Sequence, residues 1–208
     1  MTSIINASTV AGVVVSSDTS GNLAIQSNGT TIATAQSTGL SISSYTPATS
    51  LITSGTAIAS TSGTSIGFTS IPSWVKRITF ILGGVSTTST SQMQLQIGSG
   101  SYANTGYASG AYSPNTSNAN STTGFILMSS NTASGNYSGN IQLTLLNSST
   151  NLWVSSGCLG EGSNAAGNGG AHSSGGNKTL SGTLDRIQIT TVNGTDTFDA
   201  GSINILYE

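Results

Sequence analysis

Charge is what this sequence has least of. Four Lys and Arg and six Asp and Glu make up 5 % of 208 residues, where an ordinary soluble domain carries about a quarter. A net charge of −2 leaves no electrostatic footprint for nucleic acid or for an anionic membrane. A single cysteine, Cys158, excludes an internal disulfide framework. No apolar run approaches the length of a membrane span, so no membrane insertion is expected. The N-terminal stretch MTSIINASTVAGVVVSSD lacks a basic region ahead of its apolar residues, which argues against a secretory signal and for synthesis in a cytoplasm.

Catalytic side chains are equally scarce. His172 is the only histidine, and Glu161 and Asp185 are the only acids outside the two termini and the 193–199 region. Ser–His–Asp or Cys–His chemistry would have to be built around that one histidine. Cleavage of a polysaccharide needs two placed carboxylates. The expectation is a non-enzyme, with no cofactor and no metal.

What remains is Gly, Ser, Thr and Asn around short apolar runs, with 35 % hydrophobic residues and 27 glycines. Helix periodicity is absent. Strand alternation recurs at Met93–Ile97, Ile141–Leu145 and Ile203–Ile205, which puts one face of each on a core and the other toward solvent. Residues 1–50 hold very short runs, Val13–Val15, Leu23–Ile25, Thr31–Ala33 and Leu40–Ile42, parted by turns such as Ser27-Asn28-Gly29-Thr30. Asn-Gly between alternating runs signals a hairpin. Strands so small cannot bury enough surface alone, and identical copies are the simplest partners.

Residues 51–208 hold longer runs: Thr56–Ala59, Trp74–Leu82, Gln92–Ile97, Thr123–Met128, Gly139–Leu146, Leu152–Ser155, Thr179–Leu184, Arg186–Thr191 and Gly201–Tyr207. Such strands with long loops predict an all-β chain whose larger part is an antiparallel, jelly-roll-like β-sandwich. Trp74, Phe80, Ile141, Leu143, Ile203 and Ile205 are the expected core.

The run IPSWVKRITF, the later TLDRIQITTVNGTDTFDAG and the final SINILYE resemble the C-terminal head of phage tail-fibre and related virion proteins. SDTSGNLAIQSNGTTIATAQSTGLSI is similar to short β modules of fibre shafts. The resemblance implies a homotrimeric, non-enzymatic virion protein. Residues 1–50 would form an attachment and shaft segment docking on another virion protein of the tail, neck or capsid, and residues 51–208 a sandwich head. The implied role is recognition of a host-surface glycan or outer-membrane component. The alternative is a structural head fibre or capsid decoration protein with no receptor role.

Four segments could carry function. Residues 99–123 show no strand signal and hold Tyr102, Tyr107 and Tyr112 among Gly, Ala, Ser, Asn and Thr. Rigid amphipathic rings among small hydrogen-bonding residues are the composition of a recognition loop. Tyr102, Asn104, Tyr107, Tyr112 and Asn115 are therefore the candidate receptor-binding residues, expected to be exposed. Lys76 and Arg77 lie near the start of a strand and are expected to pair with Asp185, Asp196 or Asp199 or to contact a neighbouring copy in a trimer, with contact to an acidic sugar as the alternative. Residues 160–178, without a bulky apolar side chain, read as a long surface loop with His172 solvated at its tip. Asn193–Asp199 reads as a tight turn capped by its own Asn and Asp side chains.

Overall fold

The computed structural model describes residues 3–8, 12–16, 23–36, 39–41, 52–114, 118–162 and 170–208. No helix occurs among them. The chain divides into two compact units, Met1–Leu51 and Ile52–Glu208.

The first unit is one sheet of five strands: β1 (Ser3–Ser8), β2 (Gly12–Ser16), β3 (Leu23–Ser27), β4 (Thr30–Gln36) and β5 (Gly39–Ser41). Its order is β2-β1-β3-β4-β5, with β1 and β3 parallel and the other pairs antiparallel. Asn28 and Gly29 both take positive φ, 48° and 77°. That is the tight turn whose twist matches a hairpin, and it joins β3 to β4 as the Asn-Gly pair predicts. Ile25 and Ile32 are each about two-fifths exposed.

The second unit has two sheets around one apolar cluster. The smaller sheet holds β8 (Ser65–Thr69), β10 (Met93–Ser99), β11 (Ser101–Tyr102), β14 (Phe125–Ile126) and β18 (Arg186–Thr191). The larger is built from β6 (Thr53–Ser54), β7 (Ile58–Ala59), β9 (Arg77–Thr87), β12 (Ala108–Tyr112), β13 (Ala119–Ser121), β15 (Asn136–Asn147), β16 (Leu152–Gly162), β17 (Ala171–Thr179) and β19 (Phe198–Tyr207). Its order is β13-β12-β17-β16-β15-β9-β19-β6, with β7 also on β19. All these pairings are antiparallel.

Period-2 alternation sets the core. In β9 the buried residues Ile78, Phe80 and Leu82 alternate with half-buried ones. Ile141 and Leu143 of β15 lie opposite Phe80 and Ile78, and Ile203 and Ile205 of β19 lie opposite Leu82 and Phe80. From the other sheet Leu95, Ile97, Ile187 and Ile189 join the same cluster. Phe68 of β8 meets Phe80 edge to face with centroids 6.1 Å apart, a geometry that aromatic quadrupoles favour.

Leu143 is wholly buried, whereas Gln142 is half-buried on the opposite face. Leu143→Ala is expected to cost about 2–5 kcal/mol, and Gln142→Ala within roughly 0.5 kcal/mol. Urea midpoints of the two variants check this, and a more damaging Gln142 change would reverse the register of β15.

Several expectations need correction. Trp74 is not a core residue; it is 40 % exposed, its ring tilted against Tyr207 at 5.8 Å. The N–H of Val75 donates to the Pro72 carbonyl at 3.0 Å, so residues 72–75 form a turn and the strand starts only at Arg77. Ile71 and Val75 fill the core positions instead. The run Thr179–Leu184 is not a strand beyond Thr179, although Leu180 and Leu184 are buried. The polar face of β10 does not meet solvent. Gln94 and Gln96 are buried because residues 121–124 lie over them. Gln94 Oε1 accepts from the hydroxyls of Ser121 and Thr123, both at 3.0 Å, and Gln96 Nε2 donates to the Thr123 carbonyl at 2.9 Å.

Candidate functional site

Residues 99–123 do not form one open loop. They include β11, β12 and β13 and separate the three tyrosines. Tyr107 is the clear correction: it is 3 % exposed and part of the core. Its hydroxyl accepts from the Ile97 N–H at 2.9 Å and donates to the Ala103 carbonyl at 3.0 Å. Its ring stands edge-on to Phe125 at 5.0 Å, and the Lys178 ammonium lies 5.2 Å from the ring centroid. Burial pushes the Tyr107 pKa up to about 12, against the opposing effect of the Ile97 hydrogen bond.

Tyr102, on β11, is half-buried, and the Arg186 guanidinium covers its ring at 5.7 Å from the centroid. Its face is therefore occupied by a protein cation. Asn104 is exposed, and Asn115 lies outside the described residues.

Tyr112 meets the expectation. It ends β12 with 52 % of its surface exposed. Its cross-strand partner is Ser173 of β17; two residues back, Gly110 lies opposite both Asn120 of β13 and Gly175 of β17. Directly paired residues, and residues two apart along a strand, share a sheet face. Tyr112, Gly110, Asn120, Ser173 and Gly175 thus all look the same way. With Asn118 they line an open groove of about 420 Å³, none of whose lining residues is charged. Neighbouring pairing explains how so glycine-rich a stretch becomes a strand. A Cβ at Gly176 would come within 2.5 Å of the Ala108 carbonyl oxygen. Only glycine lets β12 and β17 approach so closely.

A polar cluster lies within the larger sheet, where a surface loop was expected. β16 extends to Gly162 and β17 begins at Ala171, so much of the stretch 160–178 is strand. His172 is 1 % exposed rather than a solvated tip. Its ring stands edge-on to Tyr137 at 5.7 Å, and Nε2 lies 3.5 Å from Glu161 Oε2, with neither ring nitrogen in hydrogen-bonding geometry. Burial first, and then the Glu161 charge, push the Tyr137 pKa up to about 12. Sequence reasoning missed this cluster because His172 sits among Gly and Ser rather than in an apolar run.

The other charges serve turns and edges. Arg77 pairs with Glu208 rather than with an aspartate, and an ion pair this exposed contributes little. Asp185 instead pairs with Arg186 at 2.8 Å and accepts from the Gly100 N–H at 3.1 Å. The Arg186 hydrogen bond holds its carboxyl below the usual range. Asn193 Oδ1 accepts from the N–H groups of Thr195 and Asp196, at 3.0 and 3.2 Å. Asp196 accepts from Asn193 Nδ2 at 2.7 Å and from the Ser91 N–H at 3.0 Å. Asn193–Asp199 is thus the side-chain-capped turn expected.

Comparison with family models, with curated proteins and with solved structures gives no match to this chain. Among the described residues no group of three or more His, Cys, Asp and Glu comes together. The Tyr112 groove is the arrangement best suited to reversible contact with another molecule. It has an exposed aromatic ring, amide and hydroxyl groups from the flanking strands, and the paired strand β12 beneath.

Proposed function

We propose that this chain is a virion fibre protein that recognises a host surface through the Tyr112 groove. In this reading the second unit is a jelly-roll-like sandwich head, the chain assembles as a homotrimer, and residues 1–50 fix it to another virion protein. The observation that carries the reading is an aromatic ring more than half exposed in a groove of uncharged hydrogen-bonding groups. A buried core would hide such a ring, whereas a binding surface presents it. The phrases IPSWVKRITF and SINILYE, with their resemblance to fibre heads, supply the biological setting.

A trimer would present the groove three times, so weak individual contacts combine by avidity. Virions carrying Tyr112→Ala are expected to adsorb to host cells roughly 10²-fold less well, with the melting temperature of the trimer unchanged because the ring is exposed. Adsorption measured beside a melting curve of the purified protein separates binding from folding. Unchanged adsorption would assign the chain to the structural head-fibre or capsid-decoration class.

A further inference from the structure

We propose that the Tyr112 groove takes an uncharged saccharide and turns acidic sugars away, an inference that rests on the surface-recognition reading above. Four features of the groove lead to this ligand class.

The first is the two-glycine floor. Gly110 and Gly175 are paired in register beside Tyr112, so these two residues raise no side chain next to the ring; the row ends in Asn120, opposite Gly110. An exposed planar ring beside two half-buried glycines leaves room for the flat C–H face of a pyranose. The partial positive charge of those C–H groups meets the negative face of the aromatic quadrupole.

The second is the placement of the polar groups. Asn120 lies directly over the glycine floor; a Cβ built on Gly110 would come within 3.2 Å of its Oδ1. Asn118 and Ser173 line the same groove, and all three residues are exposed. Carboxamides and a hydroxyl both donate and accept, as sugar hydroxyls do.

The third is the lack of any cation. Among the described residues no charged side chain lines the groove. Of the basic residues, Lys178 donates to the Thr105 carbonyl at 2.8 Å, Arg186 is paired with Asp185 and Arg77 with Glu208. A carboxylated or sulfated sugar would lose hydration at its anion and gain no ionic partner, an uncompensated cost. A neutral sugar gives up only hydroxyl–water hydrogen bonds, which the amides replace.

The fourth is size. About 420 Å³ falls at the small end of ligand sites, and the groove is open rather than enclosed. It accommodates a short stretch of a longer glycan, not a deeply buried monosaccharide.

The test uses the purified full-length chain on an array of neutral sugars (maltotriose, lactose, N,N′-diacetylchitobiose) and acidic ones (3′-sialyllactose, trigalacturonate, a heparin disaccharide). Hits are followed by saturation-transfer NMR. At least one neutral sugar is expected to bind, with saturation reaching its ring C–H protons. Tyr112→Ala should weaken that binding by about tenfold or more. Acidic sugars should stay at background for the native chain. Ser173→Lys, which brings a cation into the groove, should raise their binding above it. Preference for acidic sugars, or binding to no sugar, overturns the inference. Adsorption to cells is scored in parallel. If it still depends on Tyr112 while the array fails, the recognition reading survives without its saccharide; if it does not depend on Tyr112, that reading itself falls.

Discussion

Gly201→Ala is expected to destabilise the second unit by about 3–5 kcal/mol, near the top of what one methyl group can do. Gly201 sits at an irregularity of β19 between Ala200 and Ser202, with φ at +90°. An added Cβ would lie 2.3 Å from the Gly84 carbonyl oxygen and 2.5 Å from its carbon. Both are backbone atoms of the neighbouring strand and cannot swing aside. The shift would also disturb the Ser60 N–H, which donates to the Gly201 carbonyl at 2.9 Å, and the Ser60 hydroxyl, which donates to that of Ala200 at 2.7 Å. Gly194→Ala is the matched control. It too has positive φ, +69°, but nothing lies within 4 Å of the new methyl. Only backbone strain of about 1–2 kcal/mol should be felt there. Urea unfolding of both variants measures the difference, and equal losses would mean that the close approach of β19 to β9 is not a real constraint.

Tyr107→Phe is expected to cost about 1–3 kcal/mol, because it strips a buried N–H of its partner. The Ile97 N–H donates to the Tyr107 hydroxyl at 2.9 Å, and no phenyl ring can accept in its place. Tyr107→Ala adds the loss of a packed ring and should reach about 3–5 kcal/mol. The same residue makes the fold sensitive to alkali. Its pKa is raised from 10 to about 12, so the folded state favours the neutral phenol. That contribution is fully present below pH 10 and is lost as pH rises through 12. Two units correspond to roughly 2–3 kcal/mol. Stability measured from pH 9 to 12 should fall less steeply in Tyr107→Phe than in the native chain, with Tyr137, raised for similar reasons, supplying the residual slope. Equal slopes would show that Tyr107 is not held neutral by the fold.

Tyr107 also shows where the sequence stops being readable. Apolar alternation reveals β9, β10, β15, β18 and β19, since Ile and Leu at every second position leave one solution for the buried face. The same rule fails for β12 and β17. ASGAY and AHSSGGNKT carry almost no apolar side chains, and their strands exist because Gly176 lets two backbones pack closely. With those strands unseen, the tyrosines of 99–123 looked alike. Tyr102, Tyr107 and Tyr112 sit in similar local sequence, yet one is capped by Arg186, one is core and one is open. What separates them is long-range contact, with Arg186 for Tyr102 and with β17 for Tyr112, which local composition does not encode. Tyr112 itself was legible as a candidate, but Ser173 and Gly175, some sixty residues further on, were not. The turn at Asn193 was legible because its hydrogen bonds are local.

The position of β19 governs when the second unit can assemble. Residues 198–207 lie between β9 on one side and β6 and β7 on the other. Asn204 reaches Ser54 across 150 positions of chain, and Ser60 reaches Ala200 across 140. Until β19 is in place, one edge of β9 has no hydrogen-bonding partner and the core that Ile203 and Ile205 complete stays open. On a ribosome that interval spans the synthesis of residues 88–197, which lie between β9 and β19, at about 5–20 residues per second. The loop-closure entropy of such distant pairs is met before their contacts form, which makes folding slow, in the millisecond-to-second range or beyond. With so few charges to keep nascent copies apart, the waiting edge of β9 is where premature association between chains would begin.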